Sequence, residues 1–495
     1  MKWMVLVLVT ALVLIAAGLM FGHRTDTDSL SENDEAQALC EEGTADYNAL
    51  RLHDAVNKLG QSLELDPALA EASIARSMAF ARLGQTDNFE TELDRADSLT
   101  ALLTDPRRRM LAELRLSALS MSRYYTMGDS VLAALEQEIP NNIFVLVAKA
   151  SQPDIMTDPV LQEKAWQRIL EVDPNFANSY NMLGYLELHR GNYDQSIEYM
   201  KKYAFLAPDQ ANPHDSMGEV LMVMGRYEEA EQEFIKSVKI QPDFYFSLIN
   251  LGSVYLHRGQ IAKGKDILEK VRAEVRGSTL ERQVDLEIIN AFVNSDLDEE
   301  MDRMAAEFIA RYPDERVTCF YRAMRLAAVG DPDAGRAVMD SCLTDWRKDA
   351  AYAGDANFRR NIENAQGRFE AISADYNAAP AERVTRWKKA LDQVREVYPF
   401  HYQWFYRYRL AKALRESGRP DKALAELRPM FEVNPRQINA LELAAYCSVD
   451  LGDRAGAQTW LSLLQRSLKD ADPDFYGRER AATLATRIGE MPTGM

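Results

Sequence analysis

The chain has 495 residues, of which 47% are hydrophobic and 9% aromatic, so it has ample material for a packed core and is not a disordered protein. Its 58 Lys and Arg residues are outnumbered by 76 Asp and Glu residues, which gives a net charge of -18. Such a surface repels nucleic acid, and it is compatible either with simple solvation of helix surfaces or with a basic partner.

The amino terminus contains an uninterrupted apolar run at residues 3–22, with no charged side chain. As a helix, twenty residues would rise about 30 Å, which matches the hydrocarbon core of a bilayer. We therefore expect residues 1–24 to form an N-terminal transmembrane anchor. A cleaved signal sequence is the alternative, since Ala16 and Gly18 could form a small-residue cleavage site.

The orientation of this anchor depends on few basic residues. Lys2 precedes the apolar run, and His23 and Arg24 follow it, so the two sides are nearly balanced. We expect the amino end in the cytoplasm and the bulk of the chain in the periplasm, with a cytoplasmic body as the alternative. Residues 25–35 are polar and acidic, and they indicate a short linker between anchor and body.

From residue 36 onward the pattern is helical, and a fixed spacing organises it. Five prolines recur at intervals of 34 residues, namely Pro106, Pro140, Pro174, Pro208 and Pro242. A constant period in this range is typical of stacked supersecondary units. We expect each proline just past the end of a helix, where its missing N–H breaks no hydrogen bond.

Glycines recur with the same period. Gly191, Gly225 and Gly259 are 34 residues apart, as are Gly418 and Gly452. A glycine suits a sharp turn between two antiparallel helices, because a positive φ costs it little. The repeat is therefore predicted to be helix, tight turn, helix and proline.

These units resemble the tetratricopeptide repeat, whose pattern has a large–small pair and an aromatic in the first helix and a small residue in the second. The residues that carry the resemblance in the central units are Leu248, Leu251, Gly252 and Tyr255, then Met217, Gly218, Ala230 and Phe234, then Leu183, Gly184, Ser196 and Met200. The resemblance implies an all-α, right-handed superhelical solenoid of antiparallel helix pairs, of a membrane-anchored bacterial type. Small residues would let the two helices of a unit approach closely.

The pattern divides the body into segments. Residues 36–349 form a first solenoid of tetratricopeptide units, and residues 404–475 contain further C-terminal units. Residues 350–403 break the period, and we expect an irregular helical segment that continues the packing, with a hinge as the alternative. Residues 476–495 should be a capping helix and tail, because a solenoid must cover its last apolar face.

No catalytic set is visible. The sequence has no nucleophile elbow, phosphate-binding loop or dinucleotide fingerprint, and its cysteines and histidines lack metal-site spacing. We predict no catalytic residue, no cofactor and no metal. Cys319 and Cys342 lie near the same end of one predicted helix pair. They are either two buried thiols or, in an oxidising compartment, a disulfide.

The family resemblance implies that the first helix of each unit lines a concave groove for a peptide or helix. The matching positions in the central units are Asn178, Asn181, Tyr185, His189, Asn212, Asp215, Glu219, Met222, Phe246, Ile249, Ser253 and His257. Asn side chains can bond an extended backbone, and the aromatic and Met side chains offer apolar contact. These positions hold no Lys or Arg, so a clamp for a terminal carboxylate is not expected.

The resulting prediction is a non-catalytic, membrane-tethered scaffold or adaptor that binds another protein in its groove, in the cell envelope. One alternative is a periplasmic, chaperone-like assembly factor for envelope or secretion complexes. Another is an enzyme with embedded helical repeats. The irregular segment is the one stretch left for a catalytic domain, and its length of about fifty residues is below the usual domain size.

Overall fold

A computed structural model describes residues 31–492 apart from 84, 120–128, 153–154, 157, 279, 295–296, 349–355 and 396–399. The predicted anchor at residues 1–24 lies outside the described residues. Within the part of the chain that is described, none of the helices combines the length and the apolar character needed to cross a membrane.

The described chain is helical throughout and contains no β-strand in these ranges. We label the helices in chain order as α1 Asp34–Asn48, α2 Leu52–Leu65, α3 Ala70–Leu83, α4 Thr86–Leu102, α5 Pro106–Leu119, α6 Asp129–Glu138, α7 Ile143–Ala150, α8 Pro159–Val172, α9 Ala177–Arg190, α10 Tyr193–Leu206, α11 Asn212–Val223, α12 Tyr227–Ile240, α13 Tyr245–His257, α14 Ile261–Glu274, α15 Glu281–Asn294, α16 Asp298–Arg311, α17 Arg316–Ala328, α18 Pro332–Lys348, α19 Ala356–Asn377, α20 Pro380–Arg395, α21 Trp404–Glu416, α22 Pro420–Val433, α23 Ile438–Asp450, α24 Arg454–Ser467 and α25 Tyr476–Glu490.

The periodic prolines follow the prediction with one exception. Pro140, Pro174, Pro208 and Pro242 each lie two residues beyond the last residue of a helix. Pro106 instead is the first residue of α5, a position that also tolerates a missing N–H. The proline spacing therefore marks helix ends in the central units, and a helix start where the repeat begins to diverge.

The turns between paired helices are as predicted. Gly191, Gly225 and Gly259 have φ values of +81°, +70° and +73°, and Gly418 and Gly452 have +75° and +73°. Each turn is short enough to reverse the chain, so the two helices of a unit pack against each other as a hairpin. All-α solenoid architecture follows from the repetition of this hairpin.

Small residues set the distance between the two helices of a unit. A Cβ atom added to Gly218 would lie 2.6 Å from Cε1 of Phe234, and one added to Gly252 would lie 2.9 Å from Leu268. Phe234 is fully buried in that contact. The large side chain of the second helix therefore occupies the space that glycine leaves in the first, as the sequence pattern predicted.

The segment that breaks the period also forms a helix pair. Helices α19 and α20 are joined by two residues, and a 3₁₀ helix at Phe400–Gln403 leads into α21. Helix α19 contacts α17 and α18, and α20 contacts α21, so this pair connects the units on either side of it. Its core includes the fully buried Trp387, whose Nε1 donates to Asp375 Oδ1 at 2.7 Å.

The curvature of the stack places the first helices on its inner side. Helices α9, α11, α13 and α15 contact one another in succession, whereas the second helices α10, α12 and α14 lie further apart. Elements on the inside of a curve are closer together, so the first helices form the concave face. At the far end α25 packs on α23 and α24 and buries Leu484 and Ile488 there.

The solenoid also contacts itself between distant units. The backbone N–H of Asp472 donates to the carbonyl of Gly259 at 3.0 Å, and Asp472 Oδ2 accepts from the Ala262 N–H at 2.8 Å. Nearby, the guanidinium of Arg258 lies 3.1 Å from Asp470. The C-terminal units therefore pack against the turns of the central units.

Cys319 and Cys342 are joined as a disulfide in the structure, with their Cα atoms 6.2 Å apart. This separation is within the range that a disulfide spans without backbone movement. The bridge links α17 to α18 within one helix pair. Cys40 and Cys447 are buried and unbridged.

Candidate functional site

The concave face carries a polar cluster in the central units. Because units repeat every 34 residues, Tyr185 of α9 and Glu219 of α11 occupy the same position in neighbouring helices. The Tyr185 hydroxyl donates to Glu219 Oε2 at 2.6 Å and lies 3.1 Å from Ser216 Oγ. The repeat thus aligns these side chains across the boundary between two units.

Asp215 lies one helical turn before Glu219 and is bound by the next unit. Ser247 Oγ donates to Asp215 Oδ1 at 2.6 Å, and Asn250 Nδ2 donates to the same oxygen at 3.2 Å. Asn250 Nδ2 also lies 3.4 Å from Glu219 Oε1. A single amide therefore bridges the two carboxylates.

A third carboxylate, Glu287 of α15, extends the cluster. It lies two units beyond Glu219 in the same repeat position, and its side chain is half-buried. Glu287 forms a hydrogen bond with Asn290, and the negative charge of Glu219 acts on the Glu287 carboxylate. Asp215, Glu219 and Glu287, with the neutral groups Tyr185, Ser247 and Asn250, are called the acidic site below.

Asp215 is buried, Glu219 and Glu287 are half-buried, and the acids of this site act on one another electrostatically. Burial raises the pKa of Asp215, and the charge of Glu219 raises it further. Burial also raises the pKa of Glu219, and it raises the pKa of Glu287 to about 7. The pKa of the Tyr185 phenol is raised well above its ordinary value, first by burial and then by Glu219. Each carboxylate would therefore be stabilised by an added positive charge.

The predicted asparagines fall into two groups. Asn181 is fully buried, and neither its amide nitrogen nor its oxygen has a hydrogen-bond partner among the described residues. The amide nitrogen of Asn178 is likewise unpartnered. Asn212 differs, since its Nδ2 donates to the Tyr203 hydroxyl at 3.0 Å. Asn178 and Asn181 thus retain hydrogen-bonding capacity in α9.

The remaining predicted groove residues are spread along the same helices. Phe246 is 37% exposed, and Met222 is half-buried. His189 is exposed, with its ring 6.3 Å from that of His401. His257 instead stacks on Tyr227 at 5.9 Å between ring centroids. Within the predicted set Tyr185 donates directly to Glu219, and Asp215 is linked to Glu219 through Asn250.

Two predicted groove residues belong to the core instead. Ile249 is 4% exposed and packs in the apolar cluster with Leu256 and Leu268. Ser253 is 8% exposed, and its hydroxyl donates to the carbonyl of Ile249. In α13 this face is turned into the packing against α15, so the prediction for these two positions is corrected.

Four residues of the network were not predicted, namely Ser216, Ser247, Asn250 and Glu287. The 34-residue period contained a signal for one of them, since Glu287 continues the series Tyr185, Glu219 and Ser253. Extending the predicted groove by one unit would have included Glu287.

Among the residues that the structure describes, no group of three or more His, Cys, Asp or Glu side chains is arranged to hold a metal ion. In the acidic site the carboxylate oxygens already accept hydrogen bonds from Tyr185, Ser247 and Asn250. The arrangement can therefore receive a hydrogen-bond donor with a positive charge.

Comparison with models of known protein families agrees with this architecture. Models of the tetratricopeptide repeat match residues 165–198, 214–244 and 404–429. Comparison with curated protein sequences gave no significant match. Similar solved structures include the APC/C hetero-tetramer Cut9–Hcn1, at 12% identity over 91% of this chain and 84% of that chain, with a TM-score of 0.42. A human IFIT1 dimer with PPP-AAAA has 13% identity over 89% of this chain and 96% of that chain, with a TM-score of 0.40. The three repeat matches, together with the helix-pair solenoid, identify the chain as a member of the tetratricopeptide repeat family.

Proposed function

We propose that this protein is a non-catalytic scaffold that binds a segment of another protein on the concave face formed by α9, α11, α13 and α15. Tetratricopeptide solenoids generally serve as protein-binding scaffolds. The observations that support this role here are the unused hydrogen-bonding capacity of Asn178 and Asn181 on α9 and, two units further along on α13, the exposed ring of Phe246. Polar groups that lack partners in the free protein gain the most from a bound backbone.

We further propose that residues 1–24 tether the scaffold to the cell membrane and that the body lies in the periplasm. The support is the apolar run at 3–22, whose length suits a bilayer. Tethering would raise the effective concentration of the scaffold near membrane partners. A reporter that is active only in the periplasm, fused after Met495, should be active; an inactive reporter with normal expression would contradict this orientation.

Site-specific photocrosslinking tests the binding face. A photoreactive phenylalanine analogue replaces Phe246 on the concave face or, as the matched control, Phe205 of α10, which is 75% exposed on a second helix. In the native membrane we expect a discrete protein adduct from position 246 and none from position 205. Equal adducts from both positions, or none from position 246, would contradict the proposal. A continuum of adducts with nascent proteins would favour a chaperone-like factor.

A further inference from the structure

The acidic site stands out because its charges are not compensated. Elsewhere the chain pairs its buried acids, as at Asp285 of α15, which is fully buried with Arg272 at 2.8 Å and Arg311 at 2.9 Å. Glu287 lies two residues further along the same helix. Neither it nor Asp215 or Glu219 forms an ion pair with a described Lys, Arg or His. A carboxylate that is wholly or partly withdrawn from water is costly without a cation, and a bound cation offsets that cost.

A second feature beside the site points to a ligand. Asn181 shares a face of α9 with Tyr185, one helical turn away, and it occupies the same repeat position as Asp215. Its side chain is fully buried, and both amide atoms lack a partner. Buried amides are nearly always hydrogen-bonded in native proteins. The unpartnered amide of Asn181 therefore indicates that a ligand supplies a hydrogen-bond donor and an acceptor here.

We infer that the acidic site receives the side chain of a Lys or Arg residue from the protein segment bound on the concave face. This inference rests on the proposed function and specifies the chemistry of the partner. Ser247 and Asn250 both donate to Asp215 Oδ1, which leaves Oδ2 for the N–H groups of the incoming cation. Phe246, one turn before Asn250 on α13, offers an apolar surface for the aliphatic stem.

A side-chain cation fits the site better than a metal ion. Tyr185, Ser247 and Asn250 already donate to the carboxylates, and a metal would have to displace such donors or leave them unpaired. Lys and Arg instead contribute further N–H groups to the remaining lone pairs. The partner segment is therefore expected to carry at least one basic residue flanked by neutral ones.

The test is a selection of random linear heptapeptides on the full chain, followed by fluorescence titration of the enriched peptides. We expect enrichment of Lys or Arg at one position, and at least a tenfold loss of affinity when that residue is changed to Gln. The triple variant Asp215→Asn, Glu219→Gln, Glu287→Gln should lose affinity to the same extent. Its fold is checked by circular dichroism and thermal melting.

The matched control replaces three exposed glutamates that form no ion pair with any described residue, Glu64→Gln, Glu138→Gln and Glu269→Gln. It should bind the selected peptides as the unmodified chain does. Saturable binding of peptides with no basic preference, or an unchanged affinity in the acidic-site variant, would overturn the inference while leaving the proposed function intact. The absence of any saturable binder would overturn both. Should the triple variant unfold, Glu219→Gln alone replaces it in the same comparison.

Discussion

The side-chain amide of Asn434 donates a hydrogen bond to the hydroxyl of Tyr227 at 3.0 Å, across 207 residues of sequence. Both residues are buried, at 1% and 2% exposure. Asn434 follows α22 in the C-terminal units, and Tyr227 begins α12 in the central units. Burial raises the pKa of Tyr227 to about 12, so the phenol stays neutral and able to accept this bond at ordinary pH. Two distant parts of the solenoid are thus fixed against each other by a buried polar contact.

Replacement of Asn434 should loosen this contact. Asn434→Ala removes the donor and leaves the buried Tyr227 hydroxyl without it, at a cost of about 1–3 kcal/mol. Hydrogen–deuterium exchange should become faster in α12 and α22 together, because each protects the other at this contact. The exposed Asn175 serves as the control, and Asn175→Ala should leave exchange in both helices unchanged. Faster exchange confined to α22 would contradict a shared contact.

Two turn glycines have nearly equal φ but different surroundings. Comparing them separates the cost of backbone strain from the cost of a steric clash with a neighbouring side chain. Gly225 has φ +70° and Gly452 has φ +73°. An added Cβ would lie 2.2 Å from Asn434 Oδ1 at Gly225, whereas nothing lies within 4 Å at Gly452. Gly452→Ala should therefore cost only the left-handed backbone strain, about 1–2 kcal/mol.

Gly225→Ala carries the same strain and must also displace Asn434. We expect it to lower the melting temperature more than Gly452→Ala, with a further loss of about 1–3 kcal/mol. Thermal melts of the two variants under identical conditions make the comparison. Equal losses would show that the contact between Gly225 and Asn434 is not maintained in solution.

The raised pKa values of the acidic site predict how stability depends on pH. Glu287, with a pKa of about 7, retains its proton in the folded chain to a higher pH than the unfolded chain does, where the value is about 4. The folded state therefore binds more protons between these values, and stability falls as pH rises from about 4 to about 7. The charge of Glu219 acts on Glu287 in this range, and the site contributes no cation to offset it.

Glu287→Gln removes this titration. The variant should be more stable than the unmodified chain at pH 8, by on the order of 1 kcal/mol, and the difference should shrink towards pH 5. Melting temperatures measured from pH 5 to pH 8 test the effect, with the exposed Glu64→Gln as the control. A constant difference between Glu287→Gln and the unmodified chain over this range would contradict the raised pKa.

The disulfide between Cys319 and Cys342 makes a chemical prediction. Unfolding without reductant should expose two thiols to alkylation, those of Cys40 and Cys447, and unfolding with reductant should expose four. A disulfide between cysteines 23 residues apart should stabilise the folded chain by about 3 kcal/mol, because it restricts the unfolded chain. Reductant should therefore lower the melting temperature. The double variant Cys319→Ser, Cys342→Ser should melt at the same temperature with and without reductant. Four reactive thiols in protein isolated without reductant would contradict the bridge.

The sequence predicted the helix pairs because its signals are local. Each proline and each turn glycine acts on the backbone within a few residues of itself, so their spacing reported the units directly. Pro106 shows the limit, since a proline suits a helix start as well as a position beyond its end. The pair α19–α20 was not resolved from sequence because it lacks a turn glycine, its two helices being joined by Ala378 and Ala379.

The acidic site and the self-contact were harder to predict for different reasons. Tyr185, Asp215 and Glu219 lie within two predicted units, but Ser253 and Ile249 interrupt the polar series before it resumes at Glu287. Whether a given position faces the groove or the next helix depends on the curvature of the stack, which one unit does not reveal. The contact of Asn434 with Tyr227 depends on how the four intervening helix pairs, α13 to α20, accumulate rotation, and no local pattern encodes that sum.

On the binding mode that we propose, the concave face holds a basic protein segment through Asp215, Glu219 and Glu287. Its most direct test combines the photoreactive analogue at position 246 with the acidic-site variant in the native membrane. We expect the adduct seen in the unmodified background to fall at least tenfold in the variant Asp215→Asn, Glu219→Gln, Glu287→Gln. It should persist in the control with Glu64, Glu138 and Glu269 changed to Gln. An adduct of undiminished yield in the acidic-site variant would contradict binding through these carboxylates.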